Sequence, residues 1–192
     1  MKETEIQRTT PEFETDRLLL RPWKTEDVNL LYQLASDPEV GPPCGWNPHQ
    51  SLSESREVLE NILMVPNTWA ICVKENGQVI GNISLMEYPK RSPYNSGTQA
   101  ESGYWLGSDY WGYGYTPEAL RRIMKYAFED LNVQQIWIGY FDGNTKSQRC
   151  AAKCGFQERF VNRNVDWPLL GCRFDIHMLS ADSGSWKNEN GN

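Results

Sequence analysis

Apolar residues along the chain recur with a period of two in some stretches and of three to four in others, and each switch marks an element. Leu18, Leu19 and Leu20 within Arg17–Trp23 (RLLLRPW) form a short predicted strand that Pro22 halts. Thr25 then stands as N-cap of a helix with Glu26 and Asp27 in its first turn, where acids favour the positive end. After the turn-rich GPPCGWNPHQ, Ser51 and Glu54 have capping-box spacing and open a second helix with Val58, Leu59, Ile62 and Leu63 on one stripe. Thr68–Val73, Val79–Met86 and Ala100–Leu106 read as an antiparallel meander, the first two strands joined by a tight turn at Asn76-Gly77. Leu120, Ile123, Met124, Ala127, Phe128 and Leu131 share one helical face. Gln135–Phe141 (QIWIGYF) is apolar on both faces, as a strand covered on each side would be. A helix over Thr145–Cys154 with Gly155 as its left-handed stop, then strands near Phe156–Asn162 and Cys172–Leu179, complete an α/β sheet of mixed sense with helices on its faces.

The segment Met1–Pro11 and the Ser/Asn/Gly-rich tail from Ser180 to Asn192 lack apolar periodicity, which leaves residues 12–179 as one expected domain between a poorly ordered N-terminus and a flexible tail. Nineteen Lys and Arg against 25 Asp and Glu give a net charge of −6, unfavourable for coating nucleic acid or adhering to anionic lipid. Five scattered cysteines without a CxxC pair indicate neither a disulfide framework nor a zinc ribbon. The polar start lacks the apolar core of a signal peptide, and no window reaches the ~18 consecutive apolar residues of a membrane span, so a cytoplasmic location is expected.

Candidate chemistry concentrates in Asp109–Ala119 (DYWGYGYTPEA), which joins a strand to the best-defined helix. Thr116 as N-cap and Pro117 at the first helical position would put Gly112 and Gly114 just outside a helix N-terminus, where outward N–H groups and the helix dipole attract an anion. No Lys-Ser or Lys-Thr follows, as a Walker A loop requires, and Pro117 occupies the third glycine position of a dinucleotide fingerprint. Cys150 and Cys154 stand at i, i+4 in an apolar neighbourhood and are expected to be structural; His49 and His177 stand in no ligand-spaced cluster, and no metal is expected.

Taken in order, ETDRLLLRPW, VIGNISLM, ESGYWL, YWGYGYTPEAL and NTKSQRCAAKCGF resemble the GCN5-related N-acetyltransferase (GNAT) superfamily, in particular its RimJ/RimL-like branch. The resemblance implies a splayed, mixed, seven-stranded sheet that holds acetyl-CoA between two central strands, with pyrophosphate on Trp111, Gly112, Tyr113, Gly114, Tyr115 and Thr116, and a cofactor-binding Asn at Asn144. Asp109 departs from the Gln or Arg of many members and should point away from phosphate. An amine arrives mostly as ammonium and attacks only when neutral, so a base is required, and the departing thiolate calls for an acid. Glu101, on the strand leading into the loop, matches the base of similar enzymes; Ser147, sharing a helix face with Asn144, is the candidate acid and a cofactor contact. Similar enzymes polarise the thioester with backbone N–H groups, here around Tyr104, Trp105 and Leu106, and bind the acceptor near residues corresponding to Trp46, His49, Tyr88 and Tyr94. The implied partner is an amine, first a protein N-terminus and second a small molecule such as an antibiotic or polyamine, with a homodimer left open. A non-catalytic acyl-CoA sensor is the rival from another class.

Overall fold

The computed structural model describes residues 10–87 and 98–190. Eight strands form one sheet: β1 (Phe13–Glu14), β2 (Leu18–Pro22), β3 (Thr68–Val73), β4 (Val79–Glu87), β5 (Gln99–Leu106), β6 (Gln135–Phe141), β7 (Gln157–Trp167) and β8 (Cys172–Asp182). Their order is β1-β2-β3-β4-β5-β6-β8-β7, and every neighbouring pair is antiparallel except β5 and β6. The eighth strand, against seven expected, is β1, whose two residues pair with Leu19 and Leu20 and are too few to show a period.

Helices cover both faces. On one side α1 (Val28–Ala35) and α2 (Leu52–Val58) pack with Trp23, Ala70, Cys72 and Trp105. On the other, α3 (Tyr115–Lys125) and α4 (Thr145–Lys153) cover Trp69, Ile71, Ile80, Ile83, Ile136 and Ile138. The two-residue strand alternation assigns each sheet residue to one core or the other, which is why β3 and β6 are buried nearly throughout. On the α1 side, the Trp23 indole donates to Asn82 Oδ1 at 2.9 Å, so a buried polar atom on the sheet is satisfied by the residue that closes β2.

Several local expectations are corrected. Thr25 does not cap α1: Lys24 is the N-cap of a 3-10 turn over Thr25–Asp27, because the Asp27 carboxylate reaches back to the Lys24 N–H at 2.9 Å while Arg21 grips it at 2.7 and 2.8 Å. A π turn over Leu59–Leu63 ends α2, burying Leu59 and Leu63 and leaving Ile62 at 60% exposure. Leu59 and Leu63, each worth ~1.5–3 kcal/mol under cover, and the half-buried Val58 thus keep the expected stripe, from which Ile62 alone departs. The β3–β4 turn spans residues 74–77, with Gly77 alone at φ +71°, wider than the two-residue hairpin expected. The helix begins at Tyr115 rather than Pro117, with Gly114 at φ +81° as N-cap in place of Thr116, because the glycine accepts the left-handed turn that brings the chain into the axis. Where a flexible tail was expected from Ser180, β8 continues to Asp182 with Ser180 fully buried, and α5 (Ser183–Asn190) follows. The Trp186 ring lies 5.8 Å from Phe128 and its indole donates to Glu129 at 3.2 Å.

Candidate functional site

The parallel pairing of β5 with β6 is short: Gln99↔Gln135, Ala100↔Ile136 and Glu101↔Trp137, then nothing. Beyond Glu101 the strands part, leaving a wedge between residues 102–106 and the second half of β6. The Gly107 N–H donates to Ile80 O at 2.9 Å, so by the alternation of an antiparallel ladder Trp105 and Gly103 also address β4. Tyr104 and Leu106 therefore turn their N–H groups toward the wedge, as an oxyanion-binding strand requires.

Side chains of β5 divide by the same alternation. Glu101, Gly103 and Trp105 face α1 and α2; Tyr104 and Leu106 face α3 and α4. Glu101 is half-buried at the mouth of the wedge, and burial raises its carboxyl above the usual range. Gly103 keeps the floor beside it open: a Cβ there would meet only Ser84 Oγ, at 3.4 Å. Glu101 and Ser147 thus stand on opposite faces of the sheet, with the wedge as the way through.

The glycine loop bridges β5 and α3. After a 3-10 turn over Ser108–Tyr110, Gly112 and Gly114 take φ of +86° and +81°, and nothing lies within 4 Å of a Cβ built on Gly112. That bare, solvent-facing backbone next to a helix N-terminus is what a pyrophosphate needs, so the loop fits the coenzyme. Asp109 is exposed on the 3-10 turn. Two cations flank the loop that the pattern of the sequence did not indicate. Arg17 donates to Tyr113 O at 3.0 Å and pairs with Glu118 at 2.6 Å, so the turn before β2 is anchored to the first turn of α3. Lys146, in the first turn of α4, places Nζ 3.4 Å from the centre of the Trp111 ring. Each is remote in sequence from the residue it meets, so only tertiary contact reveals it.

Ser147 and Asn144 both sit at the start of α4. Asn144 is the N-cap, its Oδ1 accepting the Ser147 N–H at 3.1 Å while its Nδ2 donates to Pro43 O at 3.2 Å. Ser147 Oγ lies 3.0 Å from the Tyr104 hydroxyl, whose pKa burial pushes up. Cys150 and Cys154 are buried free thiols one turn further along, and the Cys154 sulfur contacts Pro117 O at 3.6 Å.

On the opposite face Trp46 packs edge-on to Trp105 at 5.9 Å and lies 5.4 Å from His49. His49 is 7% exposed, with Nδ1 2.8 Å from Ser55 Oγ, so its ring braces the loop between α1 and α2. Burial lowers its pKa and favours the neutral ring. The tip of the β7–β8 hairpin closes on that loop: Trp167 donates to Gly45 O at 2.7 Å, and Asn47 donates to Leu169 O at 2.6 Å. Tyr88 and Tyr94 lie outside the described residues. His177, which stands in no ligand-spaced cluster in the sequence, lies in the fold between Glu158 at 2.7 Å and Asp142 at 3.3 Å and stacks on Tyr140 at 4.9 Å. Among the described residues no group of three or more His, Cys, Asp or Glu has the arrangement of a metal site, and no helix is long and apolar enough to cross a membrane.

The model of the acetyltransferase (GNAT) domain family matches residues 17–157. "Uncharacterized N-acetyltransferase p20" of Bacillus licheniformis is 30% identical over 171 residues, covering 86% of this chain and 93% of the relative. "Putative ribosomal N-acetyltransferase YdaF" of Bacillus subtilis is 29% identical over 114 residues, 59% of each chain. Among solved structures, a GNAT-family acetyltransferase from Bacillus anthracis superposes with a TM-score of 0.80 at 18% identity, over 91% of this chain and 99% of its own.

Proposed function

The chain belongs to the GNAT acetyltransferase family and is an acetyl-CoA-dependent N-acetyltransferase, and from that premise we propose that it acetylates the terminal amine of a protein or peptide, with Glu101 as base and Ser147 as acid. The observation that carries this reading is the early end of the β5–β6 ladder at Glu101↔Trp137. It sets a carboxylate and two outward backbone N–H groups at one opening that leads toward the glycine loop.

Bound acetyl-CoA supplies an acetyl group activated as a thioester. The residues Trp111 to Thr116 hold the pyrophosphate through backbone N–H groups, with Lys146 adding positive potential, Arg17, itself paired with Glu118, bracing the loop through Tyr113 O, and Asn144 and Ser147 lying alongside at the α4 N-terminus. The Tyr104 and Leu106 N–H groups polarise the thioester carbonyl from the β5 edge, and Trp105 closes the acceptor side with Trp46. Glu101 takes a proton from the acceptor nitrogen as the N–C bond forms. Ser147 gives a proton to sulfur as the C–S bond breaks.

A terminal α-amine suits this base better than a lysine or polyamine nitrogen. Its pKa of ~8 leaves an appreciable neutral fraction at pH 7, against ~10.4 for a Lys-type amine, so one carboxylate with a raised pKa is sufficient. The name of the Bacillus subtilis relative, a ribosomal N-acetyltransferase, points the same way.

Thermal melts with excess acetyl-CoA, beside NAD and ATP, test the donor: ligand at ~100 times its dissociation constant adds ~2.7 kcal/mol. Thiol release with free N-terminal peptides and with spermidine then tests the acceptor. Turnover of peptides is expected. Turnover of spermidine alone overturns the acceptor assignment, and a melt shift with neither acceptor turned over overturns it as well.

A further inference from the structure

We infer that Gly103 and Gly139 are specificity-determining residues: facing each other across the wedge, they set its width on the α1 and α2 side and admit an amine carried on a branched carbon, whose substituent lies over Gly103. The inference rests on the terminal-amine reading above and deepens it, from the kind of amine to the carbon that bears it.

The register places the pair. Glu101↔Trp137 is the last parallel pairing, and two residues further along each strand stand Gly103 and Gly139. Both lie on one face of the sheet. The Trp137 indole donates to Gln99 Oε1 at 3.0 Å, and Gln99 alternates onto the face of Glu101 and Gly103, so Gly139 shares that face through Trp137. Beyond the two glycines the walls rise again, with Trp105 edge-on to Trp46 on β5 and Phe141 stacked on Phe174 at 4.1 Å on β6.

A glycine weakens a strand interior, because it has nothing to pack and more freedom to lose, and it recurs where a ligand comes close to the backbone. Backbone conformation demands neither of these: unlike Gly112 and Gly114, they take no positive φ. They belong to central strands, yet Gly139 is exposed and Gly103 is half-buried. What the pair provides is therefore space, and the space is unequal. A Cβ on Gly139 would stand 3.2 Å from Met178 Sδ and 3.4 Å from Ile176 Cγ2, so β8 already fills that side. Among the described residues, a Cβ on Gly103 would meet Ser84 Oγ alone, at 3.4 Å. The room lies on the β5 side, next to Glu101. An α-amine stands on a carbon that carries both a side chain and a carbonyl and needs this width; a lysine or polyamine nitrogen stands on an unbranched CH₂ and does not.

The test measures thiol release from acetyl-CoA by the full chain, for the parent, Gly103→Ala and Gly139→Ala. The acceptors are three peptides that differ only in a first residue of Gly, Ala or Leu, with spermidine beside them. Alanine suits the backbone at both positions, and the flexible end of Met178 yields to a methyl on Gly139 by moving into the slot. The added methyl points away from the face of the glycine loop, so the melt shift with acetyl-CoA should match the parent. In both variants the kcat/KM ratio of the Gly peptide to the Leu peptide is expected to rise about tenfold, with the Ala peptide between them, the scale of one methyl too many in a packed site. Each ratio is taken within one variant, so a change in folded fraction cancels. A parental ratio in either variant, or an equal loss with all three peptides, overturns the inference and leaves the terminal-amine reading standing. Parental turnover of no peptide, with or without turnover of spermidine, overturns that reading and the inference together.

Discussion

Replacing Glu101 by Gln should slow turnover by orders of magnitude and at the same time stabilise the fold. Burial is the cause that lifts the Glu101 carboxyl above its ordinary value, and each unit of elevation disfavours the ionised form in the folded chain by about 1.4 kcal/mol. Between the ordinary and the elevated pKa the folded chain binds more protons than the unfolded one, so stability falls as pH rises through that window and the penalty is complete above it. Gln keeps the shape and removes the charge. At neutral pH Glu101→Gln should therefore melt higher by about 3–6 °C per unit of elevation, given 2–4 °C per kcal/mol for a chain of this size. Near pH 3, about one unit below the ordinary glutamate value of ~4.3, the carboxyl is protonated in both states and the gain should vanish. Turnover should fall by about 10²–10⁴, with loss of the acid limb of the pH–rate profile, which in the parent lies above the range of an ordinary glutamate. Thermal melts at the two pH values and thiol-release kinetics read both effects. A variant that melts lower at neutral pH would show that the carboxylate is held by bonds rather than poised for a proton, and parental turnover would remove the base role outright.

Asp27→Ala should cost about 3–5 kcal/mol, a fall of about 6–20 °C in melting temperature, because the 12%-exposed Arg21 side chain loses both bonds to a buried carboxylate; a loss under about 1 kcal/mol would place that pair among surface ion pairs. Gly114→Val forces a branched side chain into φ +81°, a strain of about 1–3 kcal/mol, and calorimetry should find acetyl-CoA binding weakened about tenfold in a variant that remains folded. Unchanged affinity would mean that the loop does not hold the pyrophosphate. The His177 ring is raised in pKa first by its bond to Glu158, with Asp142 adding to the effect. Its stabilisation is present below the ordinary histidine value of ~6.5 and lost as pH rises through the elevated one, so above that ordinary value the parent should lose stability with rising pH by more than His177→Phe does; parallel melting curves would refute the ion pair.

The family segments quoted from the sequence were enough to expect an acetyl-CoA transferase, and the order of elements was legible because a buried face repeats with a fixed period. The central strand Gln135–Phe141 and the helical face from Leu120 to Phe128 show this most plainly. Boundaries were less legible wherever a side chain or a glycine redirected the backbone: Asp27 turning back to Lys24, Gly114 taking the cap from Thr116, and the π turn leaving Ile62 outside the expected stripe. Each turns on which of several neighbouring residues takes the cap or the turn, a choice that apolar periodicity does not encode. The C-terminal segment has no apolar period, yet Ser180 is buried between strands and Trp186 docks on Phe128.

At the site, the sequence by itself determined the residue types: a carboxylate on the strand before a two-glycine loop, and a capped helix start with Asn144 and Ser147 side by side. Periodicity and capping are local rules, so they are written in consecutive residues. Tertiary structure alone decided that the β5–β6 ladder stops at Glu101, that Glu101 and Ser147 stand on opposite faces, and that Tyr104 reaches Ser147 while Lys146 reaches Trp111. Those contacts are set by where strands part and helices settle on the sheet, which depends on packing among segments far apart in the chain.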